Sequence, residues 1–377
     1  MKKLNMLLMV VLLLGVFKNY GQSDNEVIQT AAQFLLITPD ARGAGLADMG
    51  VGTSTDGNSQ FFNASKFAFT EYENTVSINY TPWLRNISPD VFLTNASYSK
   101  RINEKSAWAA SVTYFSLGQI DFSDENENSL GTMRPNEFSI DGSYSQKLSE
   151  NFSMGVSLRY IHLGRTSNTT NANAVNTAAI DISGYYESDP KQYKSFRGQY
   201  RAGFNISNIG PKVDLDNSGD NYFLPTNLRL GGSYSFAFND FHNVTAGLEF
   251  NKLLVPSSDP NSPTNDVGFI GGMFDSFFDD GASAHSLGLS GEYAYNEAFF
   301  LRAGYYAENQ ARGGFNFATL GGGVKIKNAT IDLSYLVNNS SVSHPIENTL
   351  RFSLRLNFGG AANTVKAIDN DTDTAEN

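Results

Sequence analysis

The segment Leu350-Arg351-Phe352-Ser353-Leu354-Arg355-Leu356-Asn357-Phe358 alternates strictly between apolar and polar residues. Successive side chains of a β-strand point to opposite faces. One face therefore carries Leu350, Phe352, Leu354, Leu356 and Phe358, and the other Arg351, Ser353, Arg355 and Asn357. The pattern recurs through most of the chain, and no helical pattern supplies a second apolar layer over those strands. That combination points to a closed barrel with lipid outside and a polar lumen inside.

Strand-like runs lie near 74–82, 90–101, 106–118, 136–148, 152–165, 176–187, 196–209, 225–238, 242–254, 284–295, 298–309, 314–327, 329–339 and 347–358. Fourteen is an even number, as single-chain bacterial outer-membrane barrels require. The gaps between runs alternate. Tight turns such as Ile102–Lys105, Asn239–Phe241 and Lys327–Asn328 follow longer gaps such as 119–135, 210–224 and 255–283. Only the gap 188–195 is long for its place. Short periplasmic turns and long extracellular loops are the habit of this class, which puts both termini in the periplasm. Tyr80, Tyr114, Tyr186, Phe238, Tyr295 and Phe358 fall near strand ends, where aromatic girdles sit. The expected fold is an all-β, transmembrane, antiparallel up-and-down β-barrel.

Composition agrees. Beyond the N-terminus no apolar run is long enough for a transmembrane helix, and strands with only every second residue apolar escape hydropathy scans. The net charge of −11 argues against nucleic acid, which needs a basic face. The absence of cysteine removes disulfides, thiol catalysis and cysteine-ligated zinc. Lys2 and Lys3, the apolar stretch Met6–Phe17 and a polar exit to Gln22 read as a secretory signal peptide over 1–21. There follow an N-terminal plug-like segment (22–70), the barrel (71–358) and a polar tail (359–377) too poor in apolar surface to fold alone.

Inward positions carry Arg159, Arg201, Arg229, Arg302, Arg351 and Arg355 against Asp141, Asp181, Glu249, Glu292 and Asp332. Charges of both signs in a lumen are expected to pair. The four histidines, His162, His242, His285 and His344, stand in separate strands and loops, outside any nucleophile-elbow or zinc-protease context. Asp214–Asp220 begins like a calcium loop, but Pro225 stands where the bidentate Glu belongs. No catalytic, cofactor or metal site is assigned. Two exposed apolar stretches in extracellular loops are candidate partner-binding sites: Trp83 and Leu84 after Pro82 in the short first loop 83–89, and Phe269, Ile270, Met273, Phe274, Phe277 and Phe278 in 255–283.

Three motifs carry a family resemblance: Pro39-Asp40-Ala41-Arg42, Asp56-Gly57-Asn58 with Asn63, and Thr81-Pro82-Trp83-Leu84-Arg85. The chain resembles the PorV (LptO) family, outer-membrane barrels of the Bacteroidetes type IX secretion system within the FadL-like group. The resemblance implies fourteen strands with an N-terminal plug. It also implies association with a very large translocon barrel, receipt of cargo proteins through their C-terminal signal domain, and transfer to a sortase-like attachment complex at the cell surface. A lipopolysaccharide O-deacylase role ascribed to the family has no motif behind it here. The alternative is a FadL-like transporter of hydrophobic small molecules.

Overall fold

A computed structural model of the chain describes residues 27–83, 90–123, 129–164, 174–215, 220–256, 267–278, 284–339, 344–347 and 349–359. The expected signal peptide (1–21) and nearly all of the polar tail lie outside the described residues. Fourteen strands form the wall: β1 (Asn74–Pro82), β2 (Val91–Arg101), β3 (Ser106–Leu117), β4 (Asn136–Lys147), β5 (Phe152–Gly164), β6 (Val175–Glu187), β7 (Arg197–Ile209), β8 (Asn227–Ala237), β9 (His242–Leu253), β10 (His285–Tyr295), β11 (Phe299–Glu308), β12 (Asn316–Ile326), β13 (Ala329–Asn338) and β14 (Leu350–Phe358). Each pairs antiparallel with its chain neighbours, and β14 returns to β1 in the register Asn74↔Phe358 to Tyr80↔Phe352, which closes the barrel. Closure leaves no edge, so every mid-strand backbone group finds a partner away from water.

The alternation sorts the side chains as the pattern demands. Ile78, Val112, Ile140, Leu158, Leu230, Leu248, Leu301 and Leu320 are exposed on the outer wall. Ser77, Asn79, Ser111, Asp141, Arg159, Asn205, Arg229 and Asp332 are buried inside. An apolar surface of that extent is what a bilayer covers, and what water does not tolerate. Aromatic rings edge the band at both ends. At the long-loop end Tyr80, Phe92 and Tyr114 run across three strands with centroids 5.7 and 6.2 Å apart. At the short-turn end Tyr98 meets Trp108 at 5.3 Å and Tyr186 stacks on Tyr200 at 5.5 Å.

Three long gaps hold more structure than their composition suggests. Ile120–Ser123 pairs with Ser129–Met133, Val213–Asp214 pairs with Asn221–Tyr222, and 255–283 contains a helix, Phe269–Phe278. The inward face is also less uniformly polar than expected. Near the long-loop end Val91, Leu93, Phe115, Ile161 and Leu163 point inward and pack with Phe34 and Leu35.

The chain from Ile28 to Phe69 runs down the lumen. Its short helices are set by capping residues: Asp40 accepts from the Gly43 N–H at 2.8 Å to start α1 (Ala41–Gly45), and Asn63 accepts from the Ser65 N–H at 3.1 Å to start a 3-10 turn (Ala64–Phe69). Between them lies α2 (Ser59–Phe62). Small inward residues on the wall let this segment come close. A Cβ placed on Gly203 would lie 2.2 Å from the Val51 carbonyl oxygen, and one on Gly45 would meet the Gly321 Cα at 3.1 Å. Gly203→Val should therefore lower the fraction of protein that migrates as a folded, heat-modifiable barrel on electrophoresis, because neither backbone can yield. An unchanged folded fraction would show that the lumen segment does not lie against β7.

Candidate functional site

Charges in the lumen are arranged as a closed ring. The Arg42 guanidinium bonds Asp56 at 2.6 Å and Glu292 at 3.3 Å. Glu292 accepts from Arg302 at 2.6 Å, and Arg302 reaches Asp332 at 2.7 Å. Arg355 closes the circuit with Asp332 at 3.9 Å and Asp56 at 3.4 Å. Two members belong to the lumen segment and four to β10, β11, β13 and β14. The Arg302–Asp332 bridge crosses β12 because Gly323 leaves it room: a Cβ there would sit 2.2 Å from Asp332 Oδ1. Burial alone would raise the Asp56 carboxyl, but Arg42, Lys66 and Arg355 around it hold it well below the usual range.

A second cluster joins Arg159 to Asp141, Asp181 and Asn208. A third holds the turn 50–53. Glu249 accepts from the Gly50 and Val51 N–H groups at 2.8 and 2.9 Å, while Lys66 Nζ donates to the Gly50 carbonyl at 2.9 Å and Thr53 Oγ1 at 3.0 Å. Burial pushes the Lys66 ammonium down to about 8. The inward charges named from the alternation thus all pair, Arg201 with Glu187 and Arg351 with Asp48 included. Arg42, Asp48 and Asp56 were not read as their partners. The available signal was Arg42 itself, the one cation between residues 27 and 65.

The family motifs meet in space. Thr81 Oγ1 donates to the Pro39 carbonyl at 3.1 Å, and the Ala41 N–H donates to Ser353 Oγ at 2.7 Å. Asn63 Nδ2 bridges the carbonyls of Val51 and Gly184, both at 3.0 Å.

At the long-loop rim, α3 (Phe269–Phe278) has two unlike faces. Phe269 packs with Ile28, Phe223 and Val255, Gly272 lies over the Phe223 ring, and Ser276 is buried. On the other side Ile270, Phe274 and Phe277, spaced i, i+4, i+7, are 56, 62 and 48% exposed. Met273 stands between the faces. Lys252 places its ammonium 5.4 Å from the Phe277 ring centre. Trp83, expected to project outward, instead packs edge-on against Phe115 at 5.8 Å and touches the cluster of Phe317, Leu336 and Ile346. The apolar inner rim gives it more buried contact than solvent could. Leu84 and the Phe278 side chain lie outside the described residues.

Beside the lumen segment a cleft of about 430 Å³ opens at the same end, walled by Thr30, Ala32, Phe34, Phe115, Leu117 and Tyr222. The histidines are scattered: His162 bonds Asn176 at 2.8 Å, His242 bonds the Tyr293 hydroxyl at 2.7 Å, and His285 stacks on Phe250. His344 lies edge-on to Phe315 and Phe317, and its Nδ1 accepts from the Ile346 N–H at 3.3 Å. Of the calcium-like stretch, 216–219 lie outside the described residues. Among the described residues no group of three or more His, Asp or Glu side chains is placed to hold a metal ion.

Removing one member of the ring leaves a buried charge short of a partner, at a cost of about 3–5 kcal/mol. Arg42→Met should speed hydrogen exchange across 41–56 while the strands stay protected; equal protection in both proteins would count against the ring as the tether. For His344, burial pushes the imidazole down to about 4, with Arg351 adding to it and Asp48 and Glu347 opposing. The neutral ring is favoured in the fold, so its contribution is intact above about 6.5 and is lost as pH falls towards 4. Trp83 emission, read in a Trp108→Phe background, should shift to the red over that range, and His344→Gln should abolish the transition.

Among curated proteins none matches the chain in sequence. Solved structures do match in fold. The P. putida toluene transporter TodX is 13% identical, with a TM-score of 0.51 over 86% of this chain and 99% of its own. The CymD monoaromatic hydrocarbon channel is 13% identical, with 0.50 over 87% and 99%. A Pseudomonas aeruginosa FadL homologue is 13% identical, with 0.44 over 86% and 99%. At such identity TodX and CymD speak for fold alone. The sequence profile of type IX secretion system protein PorV matches residues 20–260. That span is more than half of the 377 residues, and it contains all three motifs that converge on the lumen segment. The chain is therefore a fourteen-stranded β-barrel of the outer membrane and belongs to the PorV family of type IX secretion system proteins.

Proposed function

We propose that this barrel is the docking and shuttle subunit of its secretion system, and that cargo does not cross the membrane through its lumen. In this reading the short turns and both termini face the periplasm. The segment 28–69 acts as a plug, and the long-loop rim meets protein partners at the cell surface. The partners are the large translocon barrel, cargo bearing a C-terminal signal domain, and the sortase-like attachment complex. The observation that carries the reading is the outward stripe Ile270, Phe274 and Phe277 on a helix whose opposite face is already anchored. An apolar stripe held rigidly off the wall suits helix-in-groove or patch docking, with aromatic anchors supplying most of the affinity. Trp83, packed beneath the rim, would set the shape of that surface without itself being its tip.

The second reading, a transporter of hydrophobic small molecules, is favoured by the cleft beside Phe34 and Phe115. Its volume falls in the range of ligand sites, and TodX and CymD are described as a toluene transporter and a monoaromatic hydrocarbon channel. Below the cleft, however, the lumen is crossed by paired charges instead of an apolar path. The PorV family and these transporter-type barrels give no support to an enzyme.

Affinity purification of the tagged protein from native outer membranes separates the two. Ile270→Ser, Phe274→Ser and Phe277→Ser together should reduce co-recovery of a very large barrel and of secreted cargo at least about tenfold, as loss of hot-spot aromatics does, with barrel folding unchanged. Undiminished recovery would sink the docking assignment. A lone barrel carrying small hydrophobic molecules would favour the transporter.

A further inference from the structure

The one short turn that is too long, 188–196, is built differently from the others. Lys191 and Gln192 pair back onto Gly198 and Arg197 at the start of β7. This folds the turn against the outer wall. Tyr193 and Phe196 stack with centroids 4.9 Å apart, and Phe196 lies 5.3 Å from Phe236 and 6.3 Å from Phe238. Tyr234 sits 4.6 Å from Phe236. Tyr234 and Phe236 belong to the lipid-facing side of β8, opposite inward Ser233 and Ser235. Both tyrosine rings come close to Gly198, where a Cβ would lie 2.1 Å from the Tyr234 oxygen and 3.1 Å from the Tyr193 ring. The turn therefore extends the lipid-facing surface as a thick aromatic block at the short-turn rim.

Cations are threaded through the same block. In the run Lys191-Gln192-Tyr193-Lys194-Ser195-Phe196-Arg197, Lys191, which pairs with Gly198 on the lipid-facing side, and Lys194 in the turn are exposed, whereas Arg197 pairs with Ala237 on the lumen-facing side of the strand. Lys191 stands 5.8 Å from the Tyr193 ring centre. The nearby Glu187 is bound to Arg201 at 2.7 Å, which leaves Asp189 as the exposed acid on this turn. Two cations beside rings at the edge of a bilayer make a headgroup site. The rings hold depth at the interface, and the ammonium groups face the phosphate level.

We propose that the turn 188–196 binds the headgroup of an anionic phospholipid in the leaflet at the short-turn rim. This anchors the β7–β8 side of the barrel and fixes its rotation about the membrane normal relative to its partners. Continuity with the lipid-facing band and charge complementarity both favour lipid over a protein at this place. Under the orientation proposed above, this is the phospholipid leaflet facing the periplasm. The binding itself holds whichever way the barrel points.

The test is native mass spectrometry of the full protein released from nanodiscs of equal parts phosphatidylcholine and phosphatidylglycerol. Wild type should retain phosphatidylglycerol in excess. Each of Lys191→Gln and Lys194→Gln should lower that excess by about fivefold, the effect of one basic residue near an anionic surface. The double variant should keep the two lipids in proportion to supply. Heat-modifiable mobility verifies that each variant is folded, and Tyr193→Ser with Phe196→Ser should weaken retention of both lipids at the site. No excess in wild type, or an excess that survives in the folded double variant, overturns the proposal. So does a photo-crosslinker at position 194 that captures a protein instead of lipid in native membranes. None of these results depends on α3, so loss of the docking reading and loss of this site are separately visible.

Discussion

The ring Asp56–Arg42–Glu292–Arg302–Asp332–Arg355 is the interaction on which the interior depends. Six charges removed from water would be ruinous singly, and broken pairs are costly. Closed into a ring of alternating sign, every guanidinium faces two carboxylates and every carboxylate two guanidinium groups, and the set is neutral. The arrangement works only when the lumen segment and four wall strands are in register together. It therefore couples barrel closure to placement of the segment, and a slip of one residue in β10 or β13 would turn Glu292 or Asp332 out to lipid.

Glycine and serine on the inner wall follow from the same constraint. A barrel of this size is too narrow to hold a folded segment if its inward residues are large. The wall gives way where backbone meets backbone, at Gly203 beside Val51 and at Gly321 beside Gly45. It then supplies hydroxyls such as Ser353 and Ser153 to the segment's orphan amide and carbonyl groups. The polar lumen face is, in the fold, mostly contact surface.

The two rims have different chemistry. At the long-loop rim, apolar inward residues, the cleft and α3 create a surface suited to proteins or small hydrophobic molecules. At the short-turn rim, aromatic and basic residues face the bilayer edge. On the proposed reading, a subunit that meets large partners at one face gains from being held in a fixed attitude at the other.

The barrel was legible in the chain because a strand that borders lipid must alternate, and fourteen alternating runs separated by short and long gaps admit few other closures. The inward charges were legible for the same reason. The lumen segment was only partly so. Its length and motifs were visible, yet the partnership of Arg42 and Asp56 with residues some 240 to 300 positions away has no local periodicity to betray it. In 255–283 the cluster of Phe and Met residues was plain, whereas the helix that sorts Phe269 inward from Phe274 outward arises from packing on Phe223 and Val255. Trp83 shows the opposite case: a tryptophan after proline looks exposed until Phe115, from another strand, is brought beside it. Period and composition determined which residues meet lipid and which face the lumen. Tertiary structure alone decided which charges pair, which aromatics remain free and where the over-long turn folds, because each depends on groups that only closure of the barrel brings together.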